Sequence, residues 1–173
     1  MSNTAKFTFV IGGARSGKSR YAESLITAQP PPWAYIATAQ AIDEEMTARI
    51  AAHRARRTAD WTTVEAPHDL AAALQACTDR PVLVDCLTLW LSNLMLANAD
   101  LEAQMMNLEA VLPKITGPLV VVSNEVGAGI VPDHRLGRRF RDVQGVLNQR
   151  MAACADRVIF TVAGLPLVLK GAL

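Results

Sequence analysis

The chain has 173 residues, 51% hydrophobic and 19% charged, with a formal net charge of +1. That length suits one compact domain burying roughly 70% of its unfolded surface, so folding requires neither a disulfide nor a structural metal. The near-neutral charge excludes a strong field for nucleic acid or an anionic membrane surface, and the composition excludes a disordered chain.

Short β-branched runs alternate with longer helical runs. Residues 7–11 read as a strand and 16–28 as a helix. The run QPPPW at 29–33 forces a turn, because proline cannot continue a helix. Residues 34–38 read as a second strand. Residues 42–57 read as a helix with Asp43, Glu44 and Glu45 in its first turn and arginines in its last, an order that complements the helix dipole. Residues 62–65 are extended, 68–76 helical, and 81–85 a buried strand ending in an acid. Helices are expected at 87–97, 101–115 and 136–155, strands at 119–123 and 158–162, and a final edge strand at 167–170. The apolar stretch 87–99 is interrupted by Ser92, Asn93 and Asn98. It is too short and too polar to span a bilayer and reads as a buried helix.

This alternation predicts α/β architecture, a mostly parallel sheet flanked by helices in one domain over residues 1–173. Ligands of such sheets bind at the carboxyl ends of the strands. The N-terminus runs straight into a strand and leaves no room for a signal peptide. Cys77, Cys86 and Cys154 form no CxxC pair and read as buried apolar thiols in a reducing compartment. A cytoplasmic protein is expected, without stable membrane insertion or a nucleic-acid partner.

The strongest motif is GGARSGKS: Gly12, Gly13, Ala14, Arg15, Ser16, Gly17, Lys18 and Ser19. It fits G-x4-G-K-S/T and lies between a strand and a helix, the context that marks a phosphate-binding P-loop. Glycines let the backbone turn its N–H groups inward, and the helix N-terminus adds positive potential where phosphate sits. Lys18 is expected to reach the β- and γ-phosphates and Ser19 to ligate Mg²⁺. Asp85 ends the strand PVLVD. It either holds Mg²⁺ through water or N-caps the helix that follows, and the two roles are compatible. The expected fold is thus a P-loop NTPase with a RecA-like core. The motif implies nucleoside triphosphate chemistry but does not choose among a kinase, an ATPase motor and a binding switch.

The second signal is RIAAHRARR at 49–57. At about 100° per residue, Arg49, His53, Arg56 and Arg57 share one helix face. Guanidinium neighbours work against an imidazolium, and an uncharged imidazole is a competent nucleophile toward phosphorus with arginines on the phosphate oxygens. The other reading is a solvated helix end with arginines placed for the dipole. His68 and His134 read as surface residues.

Several further strings occur together: YIATAQAIDEEMTARIAAHRARR at 35–57, TTVEAP at 62–67, VDCLTLWLSNL at 84–94 and VVSNEVGAGIVPDHRLGRRFRDVQGVLNQRMAACADRV at 121–158. With the P-loop they resemble the bifunctional adenosylcobinamide kinase/adenosylcobinamide-phosphate guanylyltransferase family over nearly the whole chain. The resemblance implies phosphorylation of adenosylcobinamide by a nucleoside triphosphate. Transfer of GMP from GTP to that phosphate follows, through a histidine that carries the GMP. The match puts that role on His53. It also implies nucleotide contacts at Ala37, Thr38 and Ala39, at Arg54, Ala55, Arg56 and Arg57, and at Glu65 and Asp85. It implies GTP and ATP as substrates, Mg²⁺, and a homo-oligomer, a trimer. One departure stands out: some relatives carry two adjacent histidines where this chain has Ala52 and then His53. Asn124 and Glu125, close to Gly127 and Gly129, suit either a substrate loop or a plain turn. Two alternatives remain: a monofunctional P-loop kinase of another small alcohol, and a nucleotide-dependent binding switch.

Overall fold

The computed structural model describes residues 5–55 and 57–172, without the side chains of Glu45 and Arg49. The strands are β1 (Phe7–Gly12), β2 (Trp33–Ala37), β3 (Trp61–Glu65), β4 (Val82–Asp85), β5 (Leu119–Asn124), β6 (Arg157–Val162) and β7 (Leu165–Lys170). The helices are α1 (Lys18–Thr27), α2 (Glu44–Ala55), α3 (Leu70–Gln75), α4 (Leu87–Leu96), α5 (Leu101–Val111) and α6 (Arg135–Cys154). All seven strands form one sheet in the order β3-β2-β4-β5-β1-β6-β7. Six run parallel, and β7 returns antiparallel to β6. The turn between those two uses Ala163 and Gly164, both with positive φ, the hand that matches strand twist in a two-residue hairpin.

The central strands read as unbroken apolar runs because both of their faces are covered. One core layer holds Phe9, Ile36, Val84, Val121 and Leu147 with the helices α3 to α6. The other holds Val10, Leu83, Val120 and Val122 with Ala22 and Ile26 of α1. Trp90 of α4 is 1% exposed, and its indole N–H donates to the carbonyl of His68 at 2.7 Å. Arg150 of α6 reaches Glu109 at 2.5 Å and Glu102 at 2.8 Å, tying α6 to α5.

The α/β class is as expected, and the departures have local causes. The helix from Leu101 stops at Val111 and tightens into a 3-10 turn over Leu112–Lys114, because Pro113 has no N–H to continue the ladder. Cys86, not Asp85, holds the N-cap position of α4, so the capping role considered for Asp85 is withdrawn. Cys154 is exposed rather than buried. The second helix ends at Ala55, which leaves Arg57 off the face it was expected to share with His53. Among the described residues no helix is long and apolar enough to cross a membrane.

The order of the strands positions the site. β1, which feeds the 12–19 loop, lies between β5 and β6, and β4, which ends in Asp85, lies on the far side of β5. Glu65, Ala37 and Asp85 stand level at the carboxyl ends of β3, β2 and β4.

Candidate active site

The 12–19 loop is shaped by two glycines. A Cβ on Gly12 would lie 2.6 Å from the Ser16 hydroxyl oxygen and 2.6 Å from the carbonyl oxygen of Thr161, so no larger residue fits there. Gly17 has φ 90°, a left-handed conformation costly for residues with a Cβ. The Lys18 ammonium donates to the Gly13 carbonyl at 3.0 Å, across the loop. The amide of Gly164, in the β6–β7 turn, donates to the Ser16 carbonyl at 2.8 Å and braces the loop from behind. The Ser16 hydroxyl is buried without a hydrogen-bond partner. Ala14 and Arg15 are exposed, and Ser19 is half-buried in the first turn of α1.

Beside this loop the strand ends carry a second group of side chains. Asp85 accepts a hydrogen bond from the Tyr35 hydroxyl at 3.0 Å, and His53 Nδ1 lies 3.9 Å from the same carboxylate oxygen. The end of α2 therefore folds back over the carboxyl edge of the sheet. Among the described residues, Asp85 thus stands as a charged neighbour of His53 that the sequence reading did not expect. Arg54 is paired with Glu65. Arg57 stacks on the Tyr35 ring, its guanidinium carbon 3.7 Å from the ring centroid. Arg56 lies outside the described residues, as does the side chain of Arg49. Burial, then the Asp85 carboxylate, raises the Tyr35 phenol far above its ordinary range, so it remains a donor. Burial likewise pushes the Cys86 thiol up to about 11, with Asp85 adding to the effect. A thiol so protonated is a poor nucleophile at neutral pH.

Thr38 joins these strands. It is fully buried, and its hydroxyl both donates to the Cys86 carbonyl at 2.7 Å and accepts from the Cys86 amide at 2.8 Å. Asn93 of α4 donates to the carbonyls of Thr38 at 2.8 Å and Pro67 at 3.0 Å. Ala37 and Ala39 flank this clamp and are half-buried. Thr38→Val would leave the buried Cys86 N–H unpaired and take one of two donors from its carbonyl, which keeps the Trp90 amide at 3.2 Å. We expect it to destabilise the fold by about 1–3 kcal/mol, read as a lower urea midpoint at unchanged slope.

Tyr35 and Asn93 were not singled out by sequence. Tyr35 sits in a strand that reads as core, and only the fold turns its hydroxyl toward Asp85. Asn93 did leave a signal, a polar residue in a very apolar helix, but its partners are distant in sequence. Among the described residues no cluster of three or more His, Cys, Asp or Glu forms a protein cage for a metal. The arrangement is a backbone cradle for phosphates next to an imidazole–carboxylate pair.

A family model described as cobinamide kinase / cobinamide phosphate guanyltransferase matches residues 8–169. The chain is 51% identical over 166 residues to a Pseudomonas aeruginosa protein named bifunctional adenosylcobalamin biosynthesis protein CobP, covering 94% of this chain and 96% of that one. It is 40% identical over 178 residues to the Salmonella typhimurium bifunctional adenosylcobalamin biosynthesis protein CobU, covering 93% and 98%. Among solved structures, an ATPase from a bacterial type III secretion system shares the fold at 12% identity, with TM-score 0.50 over 94% of this chain and 56% of that one. A Pyrococcus horikoshii OT3 protein does so at 7% identity, with TM-score 0.51 over 97% and 87%. With this coverage and identity, the chain belongs to the cobinamide kinase / cobinamide phosphate guanyltransferase family, CobU.

Proposed function

We propose that this enzyme phosphorylates the hydroxyl of adenosylcobinamide with a nucleoside triphosphate and then transfers GMP from GTP to that phosphate through His53. The observation that carries the reading is His53 Nδ1 lying 3.9 Å from the Asp85 carboxylate, at the sheet edge that also bears the 12–19 loop.

In the kinase step the protein positions and offsets charge. The inward amides of the 12–19 loop hold the phosphates, and Lys18 moves from the Gly13 carbonyl to the γ-phosphate. Mg²⁺ fits as an ion delivered with the triphosphate, held by the Ser19 hydroxyl and, through water, by Asp85, a ligand set it commonly accepts. When bound, it neutralises charge on the β- and γ-phosphates.

In guanylyl transfer, Nδ1 of His53 faces Asp85, so attack on the α-phosphorus of GTP is assigned to Nε2. An N–P bond forms and the P–O bond to pyrophosphate breaks. The Asp85 carboxylate offsets the positive charge that develops on the ring. A phosphate oxygen of adenosylcobinamide phosphate then attacks the same phosphorus. The N–P bond breaks, His53 is restored, and adenosylcobinamide-GDP leaves. Ala37, Thr38, Ala39, Glu65 and the segment from Arg54 to Arg57 line the nucleotide in this reading. We place the enzyme in the cytoplasm as a homo-oligomer.

GTP labelled at the α-phosphate tests the reading. The protein is expected to acquire an acid-labile, base-stable label that adenosylcobinamide phosphate discharges. Turnover of triphosphate without any label would leave a simple kinase, and nucleotide binding without product would leave a switch.

A further inference from the structure

The loop after β5 is ordered in an unusual way. Glu125 begins it, and its amide donates to the Gly12 carbonyl at 3.0 Å, so the loop starts directly on the phosphate cradle. The Glu125 carboxylate accepts from the amides of Gly127 at 2.7 Å and Ala128 at 3.1 Å. Arg141 of α6 donates to the Gly127 carbonyl at 2.6 Å, and Arg138 donates to the carbonyls of Pro132 and Asp133. Polar groups thus hold the loop from inside, while the apolar side chains at its tip face out. Ile130 is 97% exposed, Val131 55% and Leu136 53%. Three exposed apolar residues so close together, two on a loop fixed by other means and one in the first turn of α6, mark a binding surface and not a folding need.

A second, independent observation lies at the root of the loop. The Arg141 Nε is buried and has no hydrogen-bond partner. A buried guanidinium donor left unpaired is costly, and an anion or hydroxyl arriving there would satisfy it. In the same stretch of sequence Arg135, Arg138, Arg139 and Arg141 stand against Glu125, Asp133 and Asp142, a net positive charge of one.

We propose that residues 125–133 and the start of α6 form the acceptor subsite. Arg141 receives the hydroxyl or phosphate end of the acceptor, and the Ile130–Val131 tip lies against the apolar rim of its macrocycle. This rests on the reading of cobinamide as acceptor, which supplies the chemistry the loop fits: a large ring with methyl-bearing edges and a pendant polar arm that must reach the cradle. Continuity with Gly12 favours this occupant over a second copy of the chain, because the loop leads into the site where the arm must react.

The test is the double variant I130S/V131S, whose fully or half-exposed side chains the fold does not need. KM is measured for adenosylcobinamide in phosphorylation, for its phosphate in GMP transfer, and for both nucleotides, with sedimentation velocity on the same samples. Losing two apolar contacts is expected to raise both acceptor KM values about tenfold while nucleotide KM values stay within about twofold and the assembly is unchanged. Unchanged acceptor KM overturns the proposal. So does an equal rise in nucleotide KM, or a rise seen only with dissociation of the assembly, which would make the tip a subunit contact. If the wild-type enzyme turns over no corrinoid at all, the cobinamide reading fails and takes the proposal with it; if it does and the variant matches it, only the loop assignment falls.

Discussion

His53→Ala is expected to lower GMP transfer by roughly a thousandfold or more while ATP-dependent phosphorylation of adenosylcobinamide stays within about twofold. The asymmetry follows from the two-step scheme. Without an imidazole there is no N–P intermediate, so both displacements at the α-phosphorus are lost together. The kinase step asks only that the γ-phosphate and the acceptor hydroxyl be held in line, which falls to the 12–19 loop. The side chain is 32% exposed and faces the Asp85 carboxylate at 3.9 Å, so thermal stability is measured alongside. Loss of label in a variant with wild-type thermal stability would therefore report chemistry. Retention of an acid-labile label in His53→Ala would move the nucleophile elsewhere and sink the proposed mechanism.

The strands and the loop were legible because their signals are local. The apolar runs around Phe9, Val84 and Val121 and the GGARSGKS spacing each lie within a dozen residues, so period and motif suffice. Helix ends were less legible where one residue overrides a periodic pattern, as Pro113 does after Val111. The place of Arg57 differs from the expected helix face for a related reason. Helical periodicity carried through to Arg57, but the helix ends at Ala55 and Arg57 turns onto the Tyr35 ring instead. The meeting of His53 and Asp85, 32 residues apart in the chain, depends on α2 folding back over the sheet edge, which no local pattern encodes. The Thr38–Cys86 clamp and the Tyr35–Asp85 bond are similarly products of the β2–β4 register. Of the 125–133 loop, sequence left Asn124 and Glu125 open between a substrate loop and a plain turn. The exposure of Ile130 and the unpaired Arg141 donor appear only once α6 is packed beside it.

Asp85→Asn carries the second large effect, because one carboxylate is asked to serve both reactions. Its oxygen accepts from the Tyr35 hydroxyl at 3.0 Å and faces His53 at 3.9 Å. Asparagine keeps an acceptor for Tyr35, so the fold is expected to hold and the loss is chiefly one of charge. Removing the carboxylate behind a catalytic imidazole costs about ten-thousandfold where the two are hydrogen-bonded, as in serine proteases. At 3.9 Å the coupling is weaker, and we expect self-guanylylation of His53 to fall by roughly a hundredfold. If Asp85 also holds Mg²⁺ through water, phosphorylation falls too, and raising Mg²⁺ restores part of that loss but none of the loss in self-guanylylation. The two duties separate in one experiment: initial rates of both half-reactions across a Mg²⁺ titration, on protein whose unfolding midpoint matches the wild type. Kinase rate and Mg²⁺ dependence both unchanged in Asp85→Asn would remove the metal role and leave Asp85 as the partner of His53 alone. An unchanged rate of labelling would break the link between the carboxylate and the imidazole on which the transfer mechanism is built.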